Sequence, residues 1–283
     1  MIRNSSPLAL PALLALLAPL ACAEPYYDDD IGVEGVATPA GSLEGSWAFH
    51  QRFISVAFIP ILGREVESGS DQYFLVQRSW DAERQAYVDS WTFCVDINHE
   101  SAGLFMETPD ATRDSVELPD SVVEVDHPVG AYSTVDLLQL WALRDMPDPL
   151  TTAVPTPDNY QQSPQRDWIY DADGDGNVGC TMLLRGFFEG EDYYVNRKVI
   201  DYRGAVLSEE RVIGLISVRS SWSVLESTVP VAVHTGEIPS DEAAQHPDPR
   251  RSWFEMVRLD EGATCAEVER ARENETLVKL YPY

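Results

Sequence analysis

An apolar–polar alternation of period two, clearest over residues 211–225, restricts this chain more than any other feature of its sequence. Val212, Ile216, Val218, Trp222 and Val224 fall on one face there, and Ser217, Arg219, Ser221 and Ser223 on the other. Successive side chains of a strand point to opposite sides, so such a segment offers one face to a core and one to water. Alternation with β-branched and aromatic residues, bounded by turn formers, also marks strands near 46–58, 72–80, 87–97, 103–107, 166–170, 178–188, 192–204 and 253–259. Short turns at 189–191 and 208–210 favour antiparallel hairpins, and 277–281 is expected to add an edge strand. The expected fold is mainly β: a single antiparallel β-barrel or a β-sandwich. With 44% apolar and 10% aromatic residues the chain has enough apolar surface for a core.

Two helices are expected to accompany the sheet. Residues 109–165 hold eight of the 19 prolines and lose the alternation, so they read as an excursion from the sheet. Within it, Ser133 or Thr134 caps a helix over 135–146 that Pro147 and Pro149 stop. A C-terminal helix follows the capping box Thr264-x-x-Glu267, its apolar side formed by Cys265, Val268 and Ala271.

The first 23 residues have the form of a secretory signal: Arg3, an apolar run from Leu8 to Leu20, and the small residues of Ala21-Cys22-Ala23. Interrupted by Pro11 and Pro19, that run is shorter than the roughly 20 residues that span a bilayer. Cutting after Ala23 satisfies the signal-peptidase pattern. Cutting before Cys22 resembles the processing of bacterial lipoproteins, with Cys22 as the lipidated residue and Pro19 standing where that family normally has Leu. Residues 24–42 read as a polar tether, leaving 43–283 as one β-rich domain. The protein is therefore expected outside the cytoplasm, anchored to the outer membrane by its lipid or free in the periplasm or medium. A formal net charge of -27 excludes nucleic-acid binding through phosphate contacts and attraction to an anionic membrane surface.

Four cysteines stand at 22, 94, 180 and 265, none in C-x-x-C spacing. With Cys22 lipidated or removed, three remain for an oxidising compartment. Cys94 lies opposite the face of Trp91, Phe93, Val95 and Ile97, whereas Cys180 shares a core face with Val178, Met182 and Leu184. A Cys94–Cys265 disulfide and a buried Cys180 thiol are expected.

The sharpest local motif is Asp171-Ala172-Asp173-Gly174-Asp175-Gly176-Asn177-Val178. Alternate carboxylates can converge on one cation, the glycines permit the tight turn, and Asn177 adds a carbonyl. The motif matches the first eight positions of an EF-hand loop and then departs, with Met182 at the twelfth position and a strand in place of a helix. It resembles the Asp-rich calcium turns that precede strands in β repeats, which implies a structural Ca²⁺ at Asp171, Asp173, Asp175 and Asn177. Asp167, Glu189, Glu191 or Asp192 is the expected further acidic ligand.

Gly45-Ser46-Trp47 resembles the G-x-W that opens the first strand of lipocalin-type barrels, where the Trp plugs the barrel end. No G-x-S-x-G, H-E-x-x-H or phosphate-binding glycine loop is present, and the five histidines are scattered, so a non-enzymatic protein is favoured. A broader pattern resembles uncharacterised exported proteins of myxobacteria. It comprises Cys94 in an early strand, the Asp-Gly-Asp-Gly turn running into Val178-Gly179-x-Thr181, the strand from Tyr194 to Arg197, and Phe254-x-x-Val257-Arg258 before Thr264-Cys265. Those proteins often have Pro at the place of Val178. The resemblance implies lineage and compartment and brings no activity.

The expected function is an exported envelope protein whose calcium-stabilised β-domain binds a small apolar ligand, a glycan or an envelope partner. A calcium-dependent carbohydrate-binding module with exposed aromatics such as Trp80, Trp168 or Tyr170 is the alternative, and a hydrolase without a recognisable motif is the third.

Overall fold

The computed structural model describes residues 33–59, 64–101, 103–186, 189–229 and 243–277. The signal segment and Cys22 lie outside these residues, as do all but the first residue of the expected edge strand at 277–281. The described elements are, in chain order, β1 (Gly45–Ile59), β2 (Arg64–Asp81), β3 (Ala86–Asn98), β4 (Leu104–Glu107), α1 (Asp110–Asp114), β5 (Ser121–Asp126), β6 (Ala131–Trp141), α2 (Gln165–Trp168), β7 (Cys180–Gly186), β8 (Gly190–Ser208), β9 (Arg211–Ser227), β10 (Ala243–Gln245), β11 (Trp253–Arg258) and α3 (Cys265–Glu273).

Eight of these strands pair in a closed ring. The order β1-β2-β3-β5-β6-β8-β9-β11 returns to β1, and every neighbouring pair is antiparallel. Ring order follows chain order, so the molecule is an up-and-down meander barrel and not a sandwich. Closure leaves no exposed edge on the ring to recruit another chain. β7 joins β8 over Gly190–Tyr194, beyond the stretch paired with β6, and carries β4 on its far side.

The helix expected at 135–146 does not form. Residues Ala131–Trp141 are instead β6, a full member of the ring between β5 and β8. Within the expected 109–165 excursion, β5 and β6 are thus members of the barrel, and 142–164 forms no strand. Its periodicity is obscured by a bulge between Thr134 and Leu137, with Asp136 at φ 53°, which shifts the inward positions by one residue. The strand expected at 166–170 is also corrected. It is the short helix α2, followed by an isolated bridge from Ile169 to Leu143. Residues 33–42, assigned by composition to the tether, lie on the barrel, with Val36 and Thr38 donating to the carbonyls of Val206 and His127.

A second bulge positions the C-terminal helix. Phe74 faces Phe93 and Tyr73 faces Val95, so Cys94 is the extra residue. The face of β3 inverts there. Phe93 points into the barrel, while Cys94, Val95 and Ile97 join Tyr73 and Leu75 on the outside, where Val268 and Ala271 of α3 cover them. The expected grouping of Val95 and Ile97 with Phe93 fails for this reason. Both halves of the capping box are present on α3, and the Cys94–Cys265 disulfide ties the first residue of the helix to the bulge.

The barrel interior is layered. At one end Trp47 is fully buried and donates from Nε1 to the Leu43 carbonyl at 3.1 Å. Arg258 lies over its ring at 4.9 Å and donates to the carbonyls of Glu44 and Ser42. Beside it, Arg78 makes a bidentate pair with Asp89, both side chains completely buried. The middle is aromatic: Phe49 packs against Phe74, Trp91, Tyr202 and Phe254 with ring centroids 4.9–6.0 Å apart. Fully burying side chains of this size contributes roughly 1.5–3 kcal/mol each, so this layer dominates the packing energy. Beyond it the interior turns polar, with Tyr202 donating to Gln51, Gln51 to Gln72, and Gln72 to Asp96.

Candidate metal turn and the polar end of the barrel

The Asp-rich turn folds because its own backbone supplies donors to the carboxylates. Asp171 accepts from the amides of Gly174 and Gly176 at 2.8 and 2.9 Å. Those glycines sit at φ 73° and 92°, the left-handed region that L side chains avoid. Gly179 closes the turn by bridging to Asp171, and a Cβ there would stand 2.6 Å from the Tyr194 carbonyl oxygen. Glycine is required at that position by contact as well as by φ.

Asp173 and Asp175 are anchored from neighbouring elements. Asp173 Oδ2 accepts from Thr112 of α1 at 2.6 Å and from the Thr181 amide at 2.8 Å. Asp175 accepts from the Asn177 amide and from the Thr181 hydroxyl, both at 2.7 Å. Slight burial pushes the Asp175 carboxyl up, but hydrogen bonds from Thr181 and Asn177 outweigh it and hold the pKa below the usual carboxylate value. Carboxylate oxygens of Asp171, Asp173 and Asp175 lie within 4.8 Å of one another. The three predicted carboxylates are thus brought together. Asn177 directs its side-chain nitrogen to Asp175 at 3.1 Å. Asp167, Glu189, Glu191 and Asp192 do not belong to the group. Asp173 Oδ1 is buried and receives no hydrogen bond.

Cys180, next to the turn, is a fully buried thiol, as the strand face implied. Burial pushes its pKa to about 12, against an opposing contact from Ser115 and aided by Asp173 and Asp175, so it is inert as a thiolate nucleophile.

The histidines are less scattered than their spacing implied. On the outer face of β1 and β2, Asp71 accepts from Arg52 through two bonds of 2.9 and 2.7 Å. His50 Nε2 and His99 Nε2 stand 2.9 and 2.7 Å from the same carboxylate. Burial pushes Asp71 up, but His50, His99 and Arg52 together hold it far below the usual carboxylate range. Both oxygens are occupied and the charge is matched by a bidentate guanidinium, so the cluster acts as a knot joining β1, β2 and the end of β3. Trp168, considered above as a sugar platform, is buried in the core.

Sequence reasoning missed the polar end of the barrel. Gln139 on β6 pairs across with Lys198 on β8, which pairs with Ser220 on β9. In the adjacent inward row, Trp141, Asn196 and Trp222 are neighbours in the same order. The Lys198 amine lies 5.4 Å from the centroid of the Trp141 ring. Burial pushes its pKa down and the negative charge of Asp96 partly opposes this. Among the described residues no carboxylate lies within 4.0 Å of that amine. Gln139 Oε1, Trp141 Nε1 and Trp222 Nε1 are buried without hydrogen-bond partners. The available signal was a lysine, one of two in the chain, flanked by Val195, Val199 and Ile200 in an alternating strand.

Comparison with protein-family models, curated proteins and solved structures finds no match to this chain.

Proposed function

We propose that this chain is an exported cell-envelope protein whose β-barrel binds a ligand without catalysing a reaction, and whose 171–177 turn takes a structural Ca²⁺. The observation that carries the calcium reading is the buried, unbonded Asp173 Oδ1, in a turn where carboxylate oxygens of Asp171, Asp173 and Asp175 lie within 4.8 Å of one another. A buried carboxylate oxygen without a donor is costly, and a hard cation with oxygen ligands removes the cost. Thr112 and Thr181 tie Asp173 to α1 and β7, so the ion would join the turn, the helix and the barrel wall.

Thermal melts in Ca²⁺ and in chelator test this. At a Ca²⁺ concentration about a hundredfold above Kd, linkage adds about 2.7 kcal/mol, or roughly 5–11 °C for a domain of this size. An equal melting temperature in both buffers, or a calcium shift that persists in Asp173→Ala, refutes the site. A calcium-dependent carbohydrate-binding module, the alternative, needs exposed coplanar aromatics near the Asp turn, and of its three candidates Trp168 is buried. Envelope attachment through Cys22 predicts incorporation of labelled palmitate, and incorporation that survives Cys22→Ser removes the lipid from the proposal.

A further inference from the structure

We infer that the polar end of the barrel is a pocket for a small organic monocarboxylate with an aromatic or aliphatic body, bound by Lys198, Trp141 and Trp222. This rests on the ligand-binding reading above and names the ligand class, independently of the calcium turn.

Three observations converge. The Lys198 amine lies over the Trp141 ring, on a strand flanked by β6 and β9, with no carboxylate at ion-pair distance among the described residues. A charge removed from water without a counter-ion is expensive, so the site is incomplete as it stands. Two indole N–H groups, at Trp141 and Trp222, are buried without acceptors on either side of the strand that carries Lys198. Native proteins leave few buried polar groups unbonded, and these two share the row next to that of Lys198. Finally, Lys198 is partly exposed although the ring of strands surrounds it.

The chemistry of the unfilled groups selects the ligand. One ammonium and two N–H donors ask for an acceptor-rich anion, and the two oxygens of a carboxylate offer about four lone pairs. A single cation, with Asp96 close enough to be felt, disfavours a dianion such as a phosphate monoester. Gln139, opposite Lys198, leaves an acceptor for a hydroxyl or amide on the ligand. Phe93 and Tyr194, packed against Trp141, provide the apolar wall for its body.

The test uses the full exported chain with Ca²⁺ present throughout, so that failure here is separable from failure of the metal site. Binding of benzoate and octanoate is compared with benzamide and octanamide by calorimetry and by tryptophan fluorescence. A charge-assisted contact predicts that each acid binds about tenfold to a hundredfold more tightly than its amide. Lys198→Met is expected to abolish that preference, and Trp222→Phe, which keeps an aromatic ring and removes the N–H, to reduce it several-fold. Equal affinity of acid and amide for the unmodified protein, undiminished preference in folded Lys198→Met, or no binding of either acid at about 10 mM overturns the proposal. The acid-to-amide ratio needs no variant, so the test survives a variant that fails to fold.

Discussion

Replacing Arg78 by Met separates the cost of burying charge from the value of pairing it. Arg78 and Asp89 are both 0% exposed, joined by bonds of 2.7 and 2.6 Å, with a further bond of 3.0 Å from Arg78 to Tyr132. The guanidinium carbon lies 5.3–5.6 Å from the rings of Trp47, Tyr87 and Tyr132. Arg78→Met keeps most of the stem packing but leaves the Asp89 carboxylate buried without a counter-charge, at a cost of about 3–5 kcal/mol. At roughly 2–4 °C per kcal/mol for a domain of this size, the melting temperature should fall by about 6–20 °C. Asp89→Leu alone should cost a similar amount. In Arg78→Met/Asp89→Leu neither charge remains to be desolvated, and the net change should return to within about 2 kcal/mol of the parent. Urea unfolding of all four proteins gives the coupling energy directly. A single variant that costs under about 1 kcal/mol, or a double variant whose loss equals the sum of the singles, refutes this account.

Reduction and pH supply the other tests. The Cys94–Cys265 bond closes a loop of 171 residues, for which the chain-entropy relation gives about 5 kcal/mol as an upper figure. Reduction should therefore lower the melting temperature by up to about 20 °C, and an unchanged melt with both thiols shown free by alkylation would refute the role. Asp71 has a folded pKa well below its unfolded value of about 3.9, so its contribution is complete above that value and lost as pH falls below it. Glu255 runs the other way. Burial against the opposing Arg211 raises its folded pKa to about 7, so stability declines from roughly pH 4.3 to 7 and then levels. Asp71→Asn should flatten the acid limb and Glu255→Gln the limb below pH 7 in urea titrations, and unaltered slopes would dismiss either assignment.

The extent to which the sequence anticipates this structure follows from where the alternation is unbroken. In β9 the five apolar residues read as one face all enter the core, since no irregularity falls between Val212 and Val224. In β3 one bulge at Cys94 reverses everything after it, and a two-residue period carries no memory of such a slip. The disulfide partner was legible because Cys94 lies on the outer side whether or not the bulge is anticipated. β6 was not: the bulge near Asp136 and the run Leu137, Leu138, Leu140, Trp141 together imitate helical spacing, and only pairing with β8 decides for strand. The Asp-rich turn was readable because its three carboxylates lie within five consecutive residues. The knot at Asp71 was not, because His50, Asp71 and His99 belong to three different strand regions that meet only through the register of β1, β2 and β3.

Pairing of the inward-facing cation distinguishes the two ends of the barrel. At the Trp47 end the buried cation has its carboxylate, a phenol oxygen and three ring faces, so its charge is matched within the barrel although Arg78 Nη1 makes no hydrogen bond. Adding a ligand there would cost packing and replace bonds already made. At the other end the cation has a ring but no counter-ion at contact distance, and its neighbours hold two unused donors and one unused acceptor. Filling such a barrel with apolar residues throughout would be more stable, since a well-packed apolar core matches or exceeds buried ions in energy. A fold that places its polar groups in adjoining rows at one end and leaves them unmatched accepts an instability that a bound anion removes. Stability of the barrel and occupancy of that end are therefore linked, and a carboxylate that binds there should raise the melting temperature in proportion to the logarithm of its concentration.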